Sequence, residues 1–237
     1  MLCAAGACVT GPGHRSLGQE CQDALALRGW QGGWIAAVAD GLGSRANSAR
    51  GARLAVQAVQ AIARRWTGSS QAWRDIPARD VATEIYRRWL SAVPWLDKSM
   101  AATTLLVAIS DAKGHTRVWQ LGDGLIACLR NEQIQIITPE RIGFCNETQA
   151  LGVTKAWSAW HHADISLSRR GDAVLLMTDG ISDDIPQEML LGFSRTVCQE
   201  LRRQSRRKGR RWLTRELTNW ATPGHSDDKT LAAIFLN

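Results

Sequence analysis

The sequence predicts an α+β chain, with antiparallel strands carrying the core and helices segregated from them. Three observations predict it. Trp34 to Ala39 (Trp-Ile-Ala-Ala-Val-Ala) and Val174 to Met177 are apolar runs of strand length, and each leads into an aspartate followed by glycine, Asp40-Gly41 and Asp179-Gly180. Residues 44 to 66 carry Ala52, Ala55, Val56, Val59, Ile62, Ala63 and Trp66 at steps of three and four, a helical stripe. From Ala102 the period falls to two, the period of strands. The helical stripe also decides what Asp40-Gly41 is. Asp-Gly is a common hairpin signature, but a helix follows here, so the strand delivers a carboxylate to its carboxyl end.

The elements follow in order. Residues 2 to 10 read as a first core strand, broken by Gly11-Pro12-Gly13 before a polar loop from His14 to Gln22. Asp23 opens a second strand, Ala24 to Leu27, and a Gly-rich turn from Gly29 to Gly33 separates it from Trp34 to Ala39. That joint places Asp23 near Asp40. After the helix ending at Trp66, Val81, Ile85, Trp89 and Val93 mark a second helix closed by Pro94, and the two helices can pair antiparallel. Thr103 to Ile109, Arg117 to Leu121, Leu125 to Leu129 and Gln133 to Ile137 read as an antiparallel meander, with turns at Asp111 to Gly114 and Asn131-Glu132. Leu121-Gly122-Asp123-Gly124 puts another acid at a strand end. Thr138 to Trp160 shows no period and contains Pro139, Gly143 and Gly152, an irregular excursion of the kind that often helps build a binding site. Ile165 and Leu167 lead through Arg169-Arg170-Gly171 to the Asp179 strand. Gln187 to Arg203 and Trp212 to Trp220 read as helices, and Thr230 to Leu236 as the last strand.

Composition narrows the class. A chain of 237 residues suits one domain, 1–237, with a substantial core. No apolar stretch approaches the roughly 20 residues that cross a bilayer, so a soluble protein without a membrane partner is expected. Met1 to Val9 lacks the basic start of a secretory signal. The six cysteines, Cys3, Cys8, Cys21, Cys128, Cys145 and Cys198, include no Cys-x-x-Cys pair, which argues against zinc and against a disulfide framework and suits a reducing cytoplasm. The net charge of +7 is concentrated, because Arg202 to Arg215 holds eight basic residues and no acid, leaving the rest nearly neutral. A solvated helical face or loop is the favoured reading, ahead of a docking patch for an acidic partner. Nucleic acid ranks last, since no aromatic ladder accompanies the charge.

Asp23, Asp40, Asp123, Asp179 and Asp227 each stand where an apolar strand begins or ends. Any one alone reads equally well as a turn former or cap. Five converging acids without a counter-charge would cost several kcal/mol per buried ion, on the order given for isolated buried charges, and a bound cation removes that cost. Oxygen ligands with no histidine or cysteine at ligand spacing select hard ions such as magnesium or manganese, and two such ions together serve hydrolytic phosphate chemistry.

The order Gln22-Asp23, Val38-Ala39-Asp40-Gly41, Ala102-Thr103-Thr104, Leu121-Gly122-Asp123, Thr178-Asp179-Gly180 and Asp227-Asp228-Lys229-Thr230 resembles the PP2C family of metal-dependent serine/threonine phosphatases over nearly the whole chain. The Gln-Asp form, with Asn146-Glu147-Thr148 downstream, is similar to a bacterial branch sometimes found alongside a kinase. The resemblance implies a four-layer α-β-β-α sandwich, two antiparallel sheets each covered by a helix pair, with two manganese or magnesium ions in a cleft at one end. Carried over, Asp40 bridges both metals and Gly41 lends its carbonyl. Asp179 and Asp227 complete one site, Asp23 serves the other directly or through water, and Asp123 with Asp179 matches the pair that holds a third, looser ion in some members. Asp183 is a second candidate there, with a cap for the helix near Gln187 as its plain alternative. Thr103 and Thr104 are expected to support the core.

The departures are as informative. Gln22 stands where many members have glutamate, which weakens attraction for the second metal. Gly18 replaces a phosphate-gripping arginine, for which Arg15 can substitute, and Leu42 replaces the histidine that protonates the leaving oxygen in animal members, for which His14 can substitute. The expected function is a phosphoserine/phosphothreonine protein phosphatase, cytoplasmic and monomeric, whose partners are phosphorylated proteins and, by the branch resemblance, a serine/threonine kinase and its targets. The alternative is a catalytically weak regulatory module of the same fold that binds phosphoproteins.

Overall fold

The computed structural model describes residues 1–66, 73–93, 97–139, 148–220, 222 and 225–237, with the side chains of 64–66 excepted. Pro94, Gly143, Cys145 and the Asn146-Glu147 pair lie outside the described residues. In chain order the elements are β1 (Leu2–Val9), α1 (Pro12–Ser16), β2 (Asp23–Trp30), β3 (Gly33–Asp40), α2 (Ser48–Trp66), α3 (Ala78–Ala92), β4 (Leu105–Ser110), β5 (His115–Leu121), β6 (Leu125–Arg130), β7 (Gln133–Ile136), β8 (His161–Ser166), β9 (Ala173–Met177), α4 (Asp179–Ser182), α5 (Leu190–Arg203), α6 (Arg206–Thr218) and β10 (Lys229–Leu236).

The strands form two five-stranded sheets, β1-β10-β9-β6-β7 and β2-β3-β4-β5-β8, and every pairing in both is antiparallel. Alternation along the central strands explains the layers. In β3, Ala36 and Val38 face the other sheet, while Ile35, Ala37 and Ala39 join the helices α2 and α3. In β9, Val174 and Leu176 pack between the sheets, while Leu175 and Met177 meet α5 and α6. Both strands are therefore buried on two faces, which is why they read as unbroken apolar runs. The result is the four-layer sandwich. Tryptophan ring N–H groups bind helix to sheet and helix to helix: Trp30 donates to the Ala63 carbonyl at 3.1 Å, Trp119 to Ala78 at 3.0 Å, and Trp89 of α3 to Gly51 of α2 at 3.0 Å. The last contact joins the end of α3 to the start of α2, an antiparallel helix pair.

Four expectations change. The stretch from Leu105 to Ile136 is not one meander: β4 and β5 pair in one sheet and β6 and β7 in the other, so the chain changes sheets at Gly122-Asp123-Gly124. A period of two marks strands but carries no information on their partners. Gly122 makes the crossing, with φ of 109° and a position where a Cβ would lie 2.6 Å from the Thr104 side chain. Second, the polar loop begins with α1, whose Pro12 occupies the first turn, where a missing N–H costs nothing. Third, the turn before β3 is the two-residue Gln31-Gly32, with φ of 45° and 75°, and Gly29 and Trp30 belong to β2. Fourth, the last helices are bounded differently: a single 3-10 turn over Gln187–Met189 precedes α5, and α6 begins at Arg206, so most of the basic cluster is helical. Among the described residues, no helix is long and apolar enough to cross a membrane.

Candidate metal centre

The two-residue turn between β2 and β3 sets a register that pairs Asp23 directly with Asp40. Like charges opposite one another in a sheet repel, so this pairing needs support. Asp23 is buried, and Thr178 Oγ1 donates to its Oδ2 at 2.9 Å while the Thr230 N–H donates to Thr178 Oγ1 at 3.0 Å. Asp40 is held through its backbone. Thr103 Oγ1 and the Thr104 N–H donate to its carbonyl at 2.7 and 2.8 Å, and its own N–H donates to Thr104 Oγ1 at 3.1 Å.

Asp179 follows β9 and opens α4, where the Gly180 N–H donates to its Oδ1 at 2.8 Å. Asp123 sits at the crossing between the sheets and accepts from Thr148 Oγ1 at 3.0 Å. One carboxylate oxygen each from Asp40, Asp123 and Asp179 come within 4.8 Å of one another. Asp227, just before β10, is exposed at the lip, and the Asp228 N–H donates to its Oδ1 at 2.8 Å. A cleft of about 480 Å³ opens beside Asp179 and Asp227, with His14, Gln19, Asp183 and His225 also in its wall. Asp183 also lines the adjoining depression with Asp123. It closes α4 rather than capping the helix near Gln187, where Pro186 holds the cap position.

The electrostatics record the crowding. Burial, and then the charges of Asp23, Asp179 and Asp227, push the Asp40 carboxyl well above the usual carboxylate range. Burial, then Asp123, Asp227 and Asp183, raise Asp179 from 3.8 to about 6. Asp23 is raised by burial and by Cys8 and Asp228, against the hydrogen bonds of Thr230 and Thr178. Groups that hold their protons more tightly when folded make the metal-free fold lose stability as pH rises. For Asp179 the unfolded chain releases its proton near 3.8 and the folded chain near about 6. Thermal denaturation in chelator should therefore show the melting temperature falling between about pH 4 and about pH 6, where added manganese should restore it.

The donor set fits divalent ions bound through oxygen. It is made of carboxylates, and among the described residues the Gly41 carbonyl, beside Asp40, accepts no backbone hydrogen bond. Gly41 itself cannot carry a side chain, because a Cβ there would lie 2.6 Å from the Ser48 backbone. Gly41→Ala should cost about 1–3 kcal/mol of stability through this overpacking, measurable by urea denaturation, and should weaken manganese binding.

A second group of ligand atoms, from His14, Asp227 and Asp228, also lies within 4.8 Å, but Asp228 is already engaged. Its two oxygens accept the Gly11 and Gln22 N–H groups at 2.6 Å each, and His14 Nδ1 lies 3.0 Å from Oδ2. Burial would raise its carboxyl, yet these donors hold it below the usual value. Asp228 thus clasps α1 and the start of β2 to β10. Arg15 is exposed and outside the cleft wall, near enough to Lys229 to disfavour that group's charge. Gln22 directs Oε1 to Ser48 Oγ at 3.2 Å. Sequence reasoning named Thr178, Thr148, Asp228 and Lys229 only inside motifs, without roles. Asp184, whose buried carboxylate faces His225 and Lys229, it missed.

A sequence model described as protein phosphatase 2C matches residues 10–219. No curated protein matches the chain. Among solved structures, the chain is similar to the catalytic domain of the serine/threonine protein phosphatase PstP in complex with two manganese ions, at 18% identity and a TM-score of 0.68 over 100% of this chain and 99% of that one. It is similar to PstP/Ppp of Mycobacterium tuberculosis at 19% identity and a TM-score of 0.68, again over 100% and 99%. PppA of Pseudomonas aeruginosa, described as a key regulatory component of T6SS, matches at 19% identity and a TM-score of 0.69 over 99% of this chain and 97% of that one. These likenesses concern the fold, and the matched sequence model spans most of the residues that build the acid cluster, so the chain belongs to the protein phosphatase 2C family.

Proposed function

We propose that the chain is a single phosphatase domain, 1–237, that removes phosphate from phosphoserine or phosphothreonine in protein substrates with two manganese or magnesium ions. The observation that carries this reading is the meeting of the Asp40, Asp123 and Asp179 oxygens within 4.8 Å at strand ends. PstP, similar in fold, binds two manganese ions. Asp40, Asp179, Asp227 and the Gly41 carbonyl would hold the ions, with Asp23 behind Asp40 and with Asp123 and Asp179 offering a third, looser place. When bound, the ions supply Lewis acidity and an activated water for in-line displacement.

The chain's own residues do the rest. Thr178 and the Gly180 N–H fix the Asp23 and Asp179 carboxylates, and Thr103 and Thr104 fix the Asp40 backbone, so little reorganisation is needed when charge develops. His14, oriented by Asp228, faces the cleft and would give a proton to the leaving serine or threonine oxygen. Arg15, next to His14 in the chain but outside the cleft wall, would have to turn inward to draw the phosphate in. The substrates would be cytoplasmic phosphoproteins, and a serine/threonine kinase and its targets the partners. The test is release of phosphate from a phosphothreonine peptide with manganese, with magnesium and with chelator. Metal-dependent release is expected. A folded protein that binds the peptide without turnover under any metal would overturn the reading in favour of a regulatory module.

A further inference from the structure

Cys8 and Cys21 are thirteen residues apart in sequence, and their Sγ atoms lie 3.5 Å apart. Both are partly exposed, whereas Cys128 and Cys198 are buried. Each stands on a segment that feeds the acid cluster. Cys8 is in β1 opposite Thr230 of β10, and Cys21 precedes Gln22, whose N–H holds Asp228 and whose carbonyl accepts from the Gly41 N–H. Asp23 comes next. A thiol pair contributes little to packing or hydrogen bonding that two small neutral side chains would not. Such a pair can, however, become a covalent bond.

We propose that Cys8 and Cys21 are a site of reversible oxidation, joined by a hydroperoxide into a disulfide that loosens the neighbouring acid cluster. One sulfur, as thiolate, attacks the peroxide O–O bond and becomes a sulfenic acid as the alcohol, or water, departs. The second sulfur then displaces hydroxide from the first, which leaves as water. Two thiols and one hydroperoxide give one disulfide, one alcohol and one water; the sulfurs lose two electrons and the peroxide gains them. A dithiol returns the pair to the reduced state.

The bond changes geometry where the centre tolerates it least. A disulfide needs its sulfurs about 2 Å apart, so this pair must close by about 1.5 Å. β1 is tied to β10 through eight residue pairs, whereas residues 17–22 belong to no helix or strand. The Cys21 segment therefore moves, drawing the Gln22 N–H from Asp228 and shifting Asp23 against Asp40 and Thr178. The thiol chemistry stands apart from the proposed function; its effect on metal binding rests on that reading.

The experiment treats the reduced full chain with a small excess of hydrogen peroxide, alkylates the remaining thiols, and maps the digest by mass spectrometry. A Cys8–Cys21 linked peptide, with two hydrogens lost and restored by dithiothreitol, is the expected result. In Cys21→Ser no such link forms, and Cys8 runs on to sulfinic acid. Recovery of both cysteines as alkylated thiols or sulfinic acids, or a disulfide from either to another cysteine, would overturn the site. Manganese titration calorimetry on reduced and oxidised protein reads the coupling, expected as about tenfold weaker binding after oxidation, absent in the Cys8→Ser/Cys21→Ser double variant. Equal affinity in the two states overturns the coupling. Failure of both states to bind manganese would instead count against the proposed function, and the linked peptide would still decide the thiol site.

Discussion

Asp179→Asn is expected to lower phosphopeptide hydrolysis by at least about a hundredfold while making the metal-free protein more stable. Both effects follow from one observation. Burial and three acidic neighbours hold Asp179 at about 6 instead of 3.8, so keeping it ionised at neutral pH costs the fold about 3 kcal/mol at most. Asparagine removes that charge and still offers an oxygen to the Gly180 N–H, which now donates to Oδ1 at 2.8 Å. The melting temperature in chelator should therefore rise. The rise on adding manganese, a direct readout of metal binding by the native state, should shrink or vanish. Asp40→Asn should behave alike, since its carboxyl is raised by burial and by Asp23, Asp179 and Asp227. Inactivity with lowered metal-free stability would mean that these acids hold the fold together. Near-normal turnover in both variants would refute the site.

The sandwich was legible where burial is two-sided. Trp34 to Ala39 and Val174 to Met177 are uninterrupted apolar runs because β3 and β9 are covered by the other sheet on one face and by helices on the other. The choice of helix over hairpin after Asp40 was legible in the stripe from Ala52 to Ala63, all buried against β2 and β3. Strand partnership was not, because the period of β5 and β6 is the same whether they pair or part. The start of α6 was hidden by its cations. Only Gly209, Leu213 and Leu217, spaced by four, are buried on it, and a glycine gives no apolar signal. Within the centre, the five acids at strand ends stood out, but their supports depend on distant partners. Asp228 reaches Gly11 and Gln22 across 217 and 206 residues, and Thr178 reaches Asp23 across 155. One cue was present in the sequence: Asp227, Asp228 and Lys229 head an apolar strand, where charge is costly unless it has work to do.

Lys229→Met is expected to reverse the signs of Asp179→Asn, destabilising the metal-free protein while tightening manganese binding. Lys229 is almost wholly buried, with Nζ 3.3 Å from the Asp227 carbonyl and 3.9 Å from Asp184 Oδ2. Burial lowers its pKa, and Arg15 works in the same direction, while Asp227, Asp228 and Asp23 favour its charged form. Lys229 thus brings a positive charge into the cluster. Methionine fills similar volume without it. The side chain of Asp184 has no solvent exposure and, among the described residues, would keep only His225 facing it, so a loss of about 3 kcal/mol in urea denaturation is expected. The remaining carboxylates would meet an incoming divalent ion without a competing charge. At the effective dielectric of a protein site, that gain is on the order of 1 kcal/mol, or roughly fivefold in affinity. The two variants therefore test one account, in which charge balance in the cluster sets both stability and metal affinity. If Lys229→Met weakens manganese binding instead, Lys229 acts by positioning the Asp227 backbone, and the Asp184 pair belongs to the scaffold of the lip.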